Sequence, residues 1–194
     1  MTSSRRTLIT EPGRGVSLSS HQSRRALHTE YLTPPEILAG LGDFDLDPCA
    51  PPPERRAYAT AAHHIYLPTD GLAATWAGRV WLNPPFGNEA AHWLRRMATH
   101  GCGTALIPAR TETQMFSKYV WGAASAVCFL KKRPHFYLGV DTWVPHKRTP
   151  GGRFLVKAGT ALPFNSGCPM CLVAYGDSDA SVLDSAGLGT TVRW

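Results

Sequence analysis

The residues best equipped for chemistry are Asn83-Pro84-Pro85-Phe86, which follow the strand-like run Arg79-Val80-Trp81-Leu82. A loop in that place sits where a parallel strand opens into an active site, and its residue types suit methylation of an amino group. An exocyclic base nitrogen is a poor nucleophile because its lone pair is delocalised into the ring. A catalyst must therefore hold both N–H bonds and loosen that conjugation, which takes two acceptors. The Asn83 side-chain oxygen supplies one and the Pro84 backbone carbonyl the other, since proline keeps its C=O while its ring fixes φ. Phe86 offers a flat apolar face that replaces part of the stacking lost by a base swung out of a duplex. The bland alternative is a strand-terminating turn, for which Asn and a Pro pair are equally suited.

Acidic residues form a second set of candidates. Phe44-Asp45-Leu46-Asp47 reads as a strand ending in an acid. At spacing two, Asp45 and Asp47 share a face if the segment stays extended, whereas a turn at Asp47-Pro48 splits them. Carboxylates at strand ends suit the ribose of a nucleoside-bearing methyl donor. Asp70-Gly71 adds a third acid or, equally, a plain turn. Gly40-Leu41-Gly42 precedes a strand instead of following one, so it reads as a helix stop, and no glycine-rich cofactor loop is evident.

Basic residues form the third set. Lys131-Lys132-Arg133 precedes Pro134-His135-Phe136-Tyr137, a combination suited to phosphates and an unstacked base, or else a solvated hairpin corner. Arg110-Thr111, past a strand end, either contacts nucleic acid or caps the next helix. The loop carrying His146, Lys147, Arg148 and Arg153 is the expected place for sequence readout in a chain without a spare domain.

The elements that must position these groups alternate. Thr33-Pro34-Pro35-Glu36 reads as a capping box with Thr33 as N-cap, opening a helix through Leu41. Strands follow at 44–47, 64–67 and 79–82. A helix from Asn88 carries Ala90, Trp93, Leu94, Met97 and Ala98 at helical spacing, with Trp93 and Met97 expected in the core. A strand at 104–107, a helix at 112–121, and strands at 126–130, 133–138 and 172–175 complete an α/β layering, with a loop from about 139 to 168.

Taken in order, these blocks resemble the phage-type DNA N6-adenine methyltransferases, the small Dam-like family of bacteriophages and prophages. Tyr31-Leu32-Thr33-Pro34 is similar to that family's entry motif and Phe44-Asp45-Leu46-Asp47-Pro48-Cys49-Ala50 to its acidic motif. Asp70-Gly71-Leu72, Trp76 and Val80 to Gly87 resemble its central block. Leu106 to Thr113 and Phe129 to Phe136 resemble later segments, so the likeness spans about residues 30 to 176. It implies a class I, Rossmann-like S-adenosylmethionine-dependent methyltransferase fold, a three-layer α/β sandwich with a mostly parallel sheet. It also implies methyl transfer from S-adenosylmethionine to a flipped adenine in double-stranded DNA, with no metal. Asn83, Pro84, Pro85 and Phe86 would then be catalytic. Asp47, Pro48, Cys49 and Ala50 would bind the cofactor, Thr33 and Pro34 would close over its amino-acid end, and Asp70 would lie near its adenine. Three alternatives stand beside this: another amino acceptor (RNA, cytosine N4 or protein glutamine), an inactive DNA-binding relative, and a metal-dependent nuclease using Asp45, Asp47 and Asp70.

Composition agrees with the basic candidates. The chain has 194 residues, enough for one domain with a full core, expected over 29–194. Residues 1–28 hold five arginines against the single acid Glu11 and read as a disordered basic tail. A net charge of +6 favours a polyanionic partner. No apolar run approaches the ~20 residues of a membrane span and no signal-peptide core is evident, so a cytosolic protein is expected, a monomer or weak dimer. The five cysteines read as reduced, buried thiols, and Cys168-Pro169-Met170-Cys171 lacks the second pair a zinc site needs.

Overall fold

Strand identity decides the architecture. In a computed structural model the protein is described over residues 31–145 and 151–194. The expected basic tail (residues 1–28) and the loop residues His146, Lys147 and Arg148 lie outside the described residues. The chain begins with α1 (Pro35–Leu41), followed by β1 (Leu46–Asp47), β2 (His63–His64), β3 (Val80–Leu82), α2 (Ala90–His100) and β4 (Gly103–Pro108). Then come α3 (Gln114–Phe116), which runs on into a π-helical turn (Ser117–Trp121), and β5 (Ala126–Leu130). A hairpin of β6 (Thr142–Pro145) and β7 (Arg153–Val156), then β8 (Met170–Tyr175), α4 (Asp177–Ser185) and β9 (Gly189–Arg193), complete it.

Seven strands form one mixed sheet in the order β2-β1-β3-β4-β8-β5-β9, and β6 and β7 pair separately. β1, β2, β3 and β4 run parallel to one another, and β5 shares their direction because both it and β4 are antiparallel to β8. Five strands therefore open their C-terminal ends on one rim, with β8 and β9 reversed. β3, β4 and β8, apolar but for Thr104 and the Tyr175 hydroxyl, are buried on both faces, as central strands covered by helices must be.

Two cores flank the sheet. Ile37 and Leu41 of α1, with Ala180 and Leu183 of α4, pack beside Trp81, Leu106 and Leu172 on one face. Leu94 and Met97 of α2, with Phe116 and Val120, pack beside Val80, Leu82 and Ile107 on the other. This gives three layers, helix on sheet on helix, in an α/β arrangement consistent with a Rossmann-like fold. Among the described residues no helix is long and apolar enough to cross a membrane.

Several local expectations change. The helix after Thr33 is flanked by Pro34, with no side-chain cap, and the Thr33 hydroxyl has no partner, so the capping box does not form. Gly42 ends α1 at φ 77°, the left-handed conformation that suits the expected helix stop. The segment 133–138 is not a strand. Only Tyr137 bridges, to Leu32 and Ala161. The expected long loop holds the β6–β7 hairpin, and α4 and β9 lie beyond the elements read from the sequence. Cys102 is exposed, unlike Cys128 and Cys171.

Candidate active site

β1 leads to β2 on one side, while β3 lies on its other side, so the sheet reverses its order between β1 and β3. Ligands of open α/β sheets bind beyond the strand ends at such a reversal. A cleft of about 320 Å³ opens there, within the range of small-molecule sites. It gathers residues that are far apart in sequence: Tyr31 to Thr33, Asp47 to Pro52, Thr60, Ile65 to Leu67, Thr69 to Gly71, Trp81, Asn83 to Phe86 and Trp93.

Asn83 follows β3 directly. Trp81 packs into the core that faces α1, and Val80 and Leu82 into the opposite one. By strand alternation Asn83 shares the face of Trp81. Its Nδ2 donates to the Tyr31 carbonyl at 3.0 Å. This fixes the amide with Oδ1 as a remaining acceptor, and that oxygen has no partner among the described residues. The Pro84 carbonyl likewise accepts nothing among the described residues. Pro85 and Phe86 are exposed at the mouth, Phe86 at 43%. The Phe86 ring lies 6.0 Å from the Phe136 ring, which is also 5.7 Å from that of Tyr31.

The acidic loop is fixed by its own hydrogen bonds. Asp47, 3% exposed, accepts from the Thr60 hydroxyl at 2.5 Å and from the Cys49 N–H at 3.0 Å. Burial lifts its pKa to about 6, against the opposing pull of Thr60, Cys49 and the Arg56 guanidinium. Thr60 and Ala61 in turn donate their N–H groups to Nε2 of His64, at 3.2 and 3.4 Å. Burial, then Arg56 and His63, lower the His64 pKa to about 4, which keeps the ring a neutral acceptor. Pro48, Cys49 and Ala50 line the cleft, and burial pushes the Cys49 thiol up to about 12. Ala50 N–H bonds to the Ile65 carbonyl at 3.1 Å.

Asp70 reaches the same cleft while also closing its own turn, its Oδ1 accepting from Leu72 N–H at 2.9 Å. Gly71 lets this turn lie against the acidic loop, for a Cβ there would stand 1.9 Å from the Pro48 carbonyl oxygen. Trp93, expected in the core, is half-buried and lines the cleft, stacked on Trp76 at 6.4 Å.

Not every candidate converges. Asp45 lies just before β1, outside the strand that carries Asp47, and its Oδ2 accepts from Arg79 N–H at 2.6 Å. Its place ahead of β1 keeps it out of the cleft that Asp47 and Asp70 line, and the three acids that a metal-dependent nuclease requires are thereby split. Pro34 sits behind Thr33, its carbonyl bonded to Ile37 N–H. Phe136 is buried in the core instead of facing a nucleic acid, and acts as the backing for Phe86 and Tyr31.

Arg110 after β4 and Lys131, Lys132 and Arg133 after β5 are exposed on the rim that carries Asn83. Lys131 Nζ donates to the Gly187 carbonyl at 2.5 Å and Arg133 Nη1 to that of Gly167 at 3.2 Å. The side chains of Arg110 and Lys132 have no partner among the described residues. Thr113, not Arg110, caps α3, accepting from Phe116 N–H at 3.3 Å.

Two residues that line this cleft, Thr33 and Trp81, each carry a buried polar atom without a partner, Oγ1 and Nε1. Such a group costs about 1–3 kcal/mol when nothing answers it. The sequence reading gave the first both to a helix cap and, through the resemblance, to the amino-acid end of the cofactor, and it read the second only as a strand residue. No protein-family model, curated protein or solved structure matches the chain.

Proposed function

We propose that the protein is a DNA adenine-N6 methyltransferase with a class I methyltransferase fold, using S-adenosylmethionine as methyl donor. The observation that carries this reading is the meeting of Asn83 and Pro84, with free acceptors, and the acidic loop and Thr33 in one cleft at the sheet reversal. The cleft fits the donor by its chemistry: Asp47 offers acceptors for ribose hydroxyls, Asp70 lies alongside, and Thr33 holds an unanswered hydroxyl for the amino-acid end. S-adenosylmethionine, when bound, supplies an electrophilic methyl group on a positively charged sulfur.

The chain's own groups do the rest. Asn83 Oδ1 and the Pro84 carbonyl accept the two N–H bonds of the target amine, drawing its lone pair out of conjugation and aiming it. Tyr31 holds Asn83 in the required orientation. Phe86, backed by Phe136, stacks on the everted base. An amide is no general base, so the surplus proton leaves to water after transfer. Arg110, Lys131, Lys132 and Arg133 meet the phosphates of double-stranded DNA.

The test is expression of the wild type and Asn83→Ala in a bacterium free of DNA methylation, followed by mapping of modified bases. N6-methyladenine at a defined sequence is expected from the wild type, with a loss of about 10²–10³-fold in rate for Asn83→Ala. A wild type that marks no adenine, while tritium from the labelled donor enters RNA, protein or cytosine, assigns a different acceptor. Adenine marks undiminished in Asn83→Ala remove the role given to the loop.

A further inference from the structure

We propose that Trp81 is a ligand-binding residue whose indole N–H, together with the Thr33 hydroxyl, seats the carboxylate at the amino-acid end of the methyl donor. This rests on the methyltransferase reading and extends it to a residue that the family resemblance did not assign. Trp81 lines the cleft and is fully buried, its ring tilted against Phe44 at 5.4 Å, yet its Nε1 has no partner. Indole N–H is a donor only, so the missing partner is an acceptor. Thr33, 1% exposed, lines the same cleft with its hydroxyl equally unanswered, while its own carbonyl is taken by the Tyr58 hydroxyl at 2.6 Å.

Position selects which ligand group this pair meets. Trp81 lies two residues before Asn83 on the same face of β3, and Thr33 lies two residues after Tyr31, whose carbonyl holds Asn83. The pair therefore borders the reacting loop from the side of α1. Asp47 and Asp70 occupy the remaining wall. They would repel a carboxylate and attract ribose hydroxyls, which leaves the neutral donors Trp81 and Thr33 for the acid group. Among the described residues no lysine or arginine lines the cleft, so neutral N–H and O–H donors are what the carboxylate finds there.

The seat discriminates between ligands that carry the amino-acid end and those that lack it. Calorimetric titration of the full chain with S-adenosylhomocysteine and with 5′-methylthioadenosine reads this directly. The probes are wild type and Trp81→Phe, which keeps a ring and deletes the donor. The expected result is about tenfold weaker binding of S-adenosylhomocysteine by Trp81→Phe, with 5′-methylthioadenosine unchanged. Equal loss for both ligands, or none for either, overturns the assignment. Thr33→Val, which keeps the side-chain shape, is expected to narrow the same ratio, and it answers the question if Trp81→Phe fails to fold. A Thr33→Val ratio equal to the wild type's then overturns the seat. A wild type that binds neither ligand removes the methyl-donor reading itself, a result distinct from a wild type that binds both while the variants leave the ratio untouched.

Discussion

Asp47 is where burial and function oppose each other. Its carboxyl is raised to about 6, mainly by desolvation, while the Thr60 and Cys49 bonds favour the charged form. With the folded value above the unfolded 3.8, its contribution to stability is fully present below pH 3.8 and is lost as pH rises through 6. His64, lowered from 6.5 to about 4, runs the other way: its contribution is present above pH 6.5 and lost as pH falls through 4. Both grip Thr60, so the acidic loop is held from two sides. At neutral pH Asp47 is a carboxylate able to accept from a ribose. Titrating S-adenosylhomocysteine between pH 5 and 8 is expected to show affinity falling as pH drops through about 6, and Asp47→Asn is expected to bind more weakly with that limb flattened. A flat wild-type profile would remove Asp47 from the ligand. At this scale the sequence was legible in the grouping of Asn83 and Pro84 with the acidic loop, which line one cleft. It misled where a pattern had two uses. Thr-Pro-Pro-Glu looks like a cap, and its hydroxyl stays free. The run around Phe136 looks solvent-facing, yet Pro134, Phe136 and Leu138 are buried in alternation with exposed or half-buried neighbours, a period of two already present in the residue types.

Among the elements, the rim opposite the cleft is clipped by Arg79. Its Nε and Nη2 donate to Asp179 of α4 at 3.0 and 2.9 Å, and its Nη1 to the Leu41 and Asp43 carbonyls at 2.9 and 2.8 Å. The guanidinium lies 4.1 Å over the Phe44 ring, and Thr104 also donates to Asp179, at 2.7 Å. One side chain thus ties α1, β3 and α4 together, and it does so with a carboxylate 1% exposed. Asp179→Ala leaves this guanidinium uncompensated and is expected to cost about 3–5 kcal/mol in denaturant unfolding. The double change Arg79→Met with Asp179→Leu is expected to recover most of that. A loss below about 1 kcal/mol in the single variant would show that the clip carries little. Nothing in the sequence announces a partner 100 residues away. β3, β4 and α2 were legible because their apolar runs are continuous or helically spaced, whereas the strand expected at 64–67 forms only at His63–His64, which offers no such run. α4 was not, since its inward residues are Asp179, Ala180 and Leu183, too few and too polar to set a period. The β6–β7 hairpin was hidden for a different reason: apolar residues occupy both of its faces, Val144 and Val156 buried and Trp143 paired outward with Leu155, so no polar alternation marks it.

For the whole molecule, direction turns a scattered set of basic residues into one surface. Arg110 follows β4 and Lys131 to Arg133 follow β5. Because those strands run with β3, the cations share a rim with Asn83, about three strand spacings, roughly 14 Å, across at most. Within this set the cations are not equivalent. Lys131 and Arg133 already serve the Gly187 and Gly167 carbonyls, while Arg110 and Lys132 have no partner among the described residues and are free to meet phosphate. Each phosphate neutralised releases counterions, so the logarithm of DNA affinity falls with the logarithm of salt by about 0.9 per contact. Arg110→Ala and Lys132→Ala are each expected to weaken duplex binding and to lower that slope by about 0.9. Lys131→Ala is expected to change it less, because its ammonium is committed to the backbone. S-adenosylhomocysteine affinity, set in the cleft, is expected to stay at the wild-type value in all three. Slopes that do not move in Arg110→Ala and Lys132→Ala would place the duplex elsewhere and leave the net charge of +6 without a role on this rim.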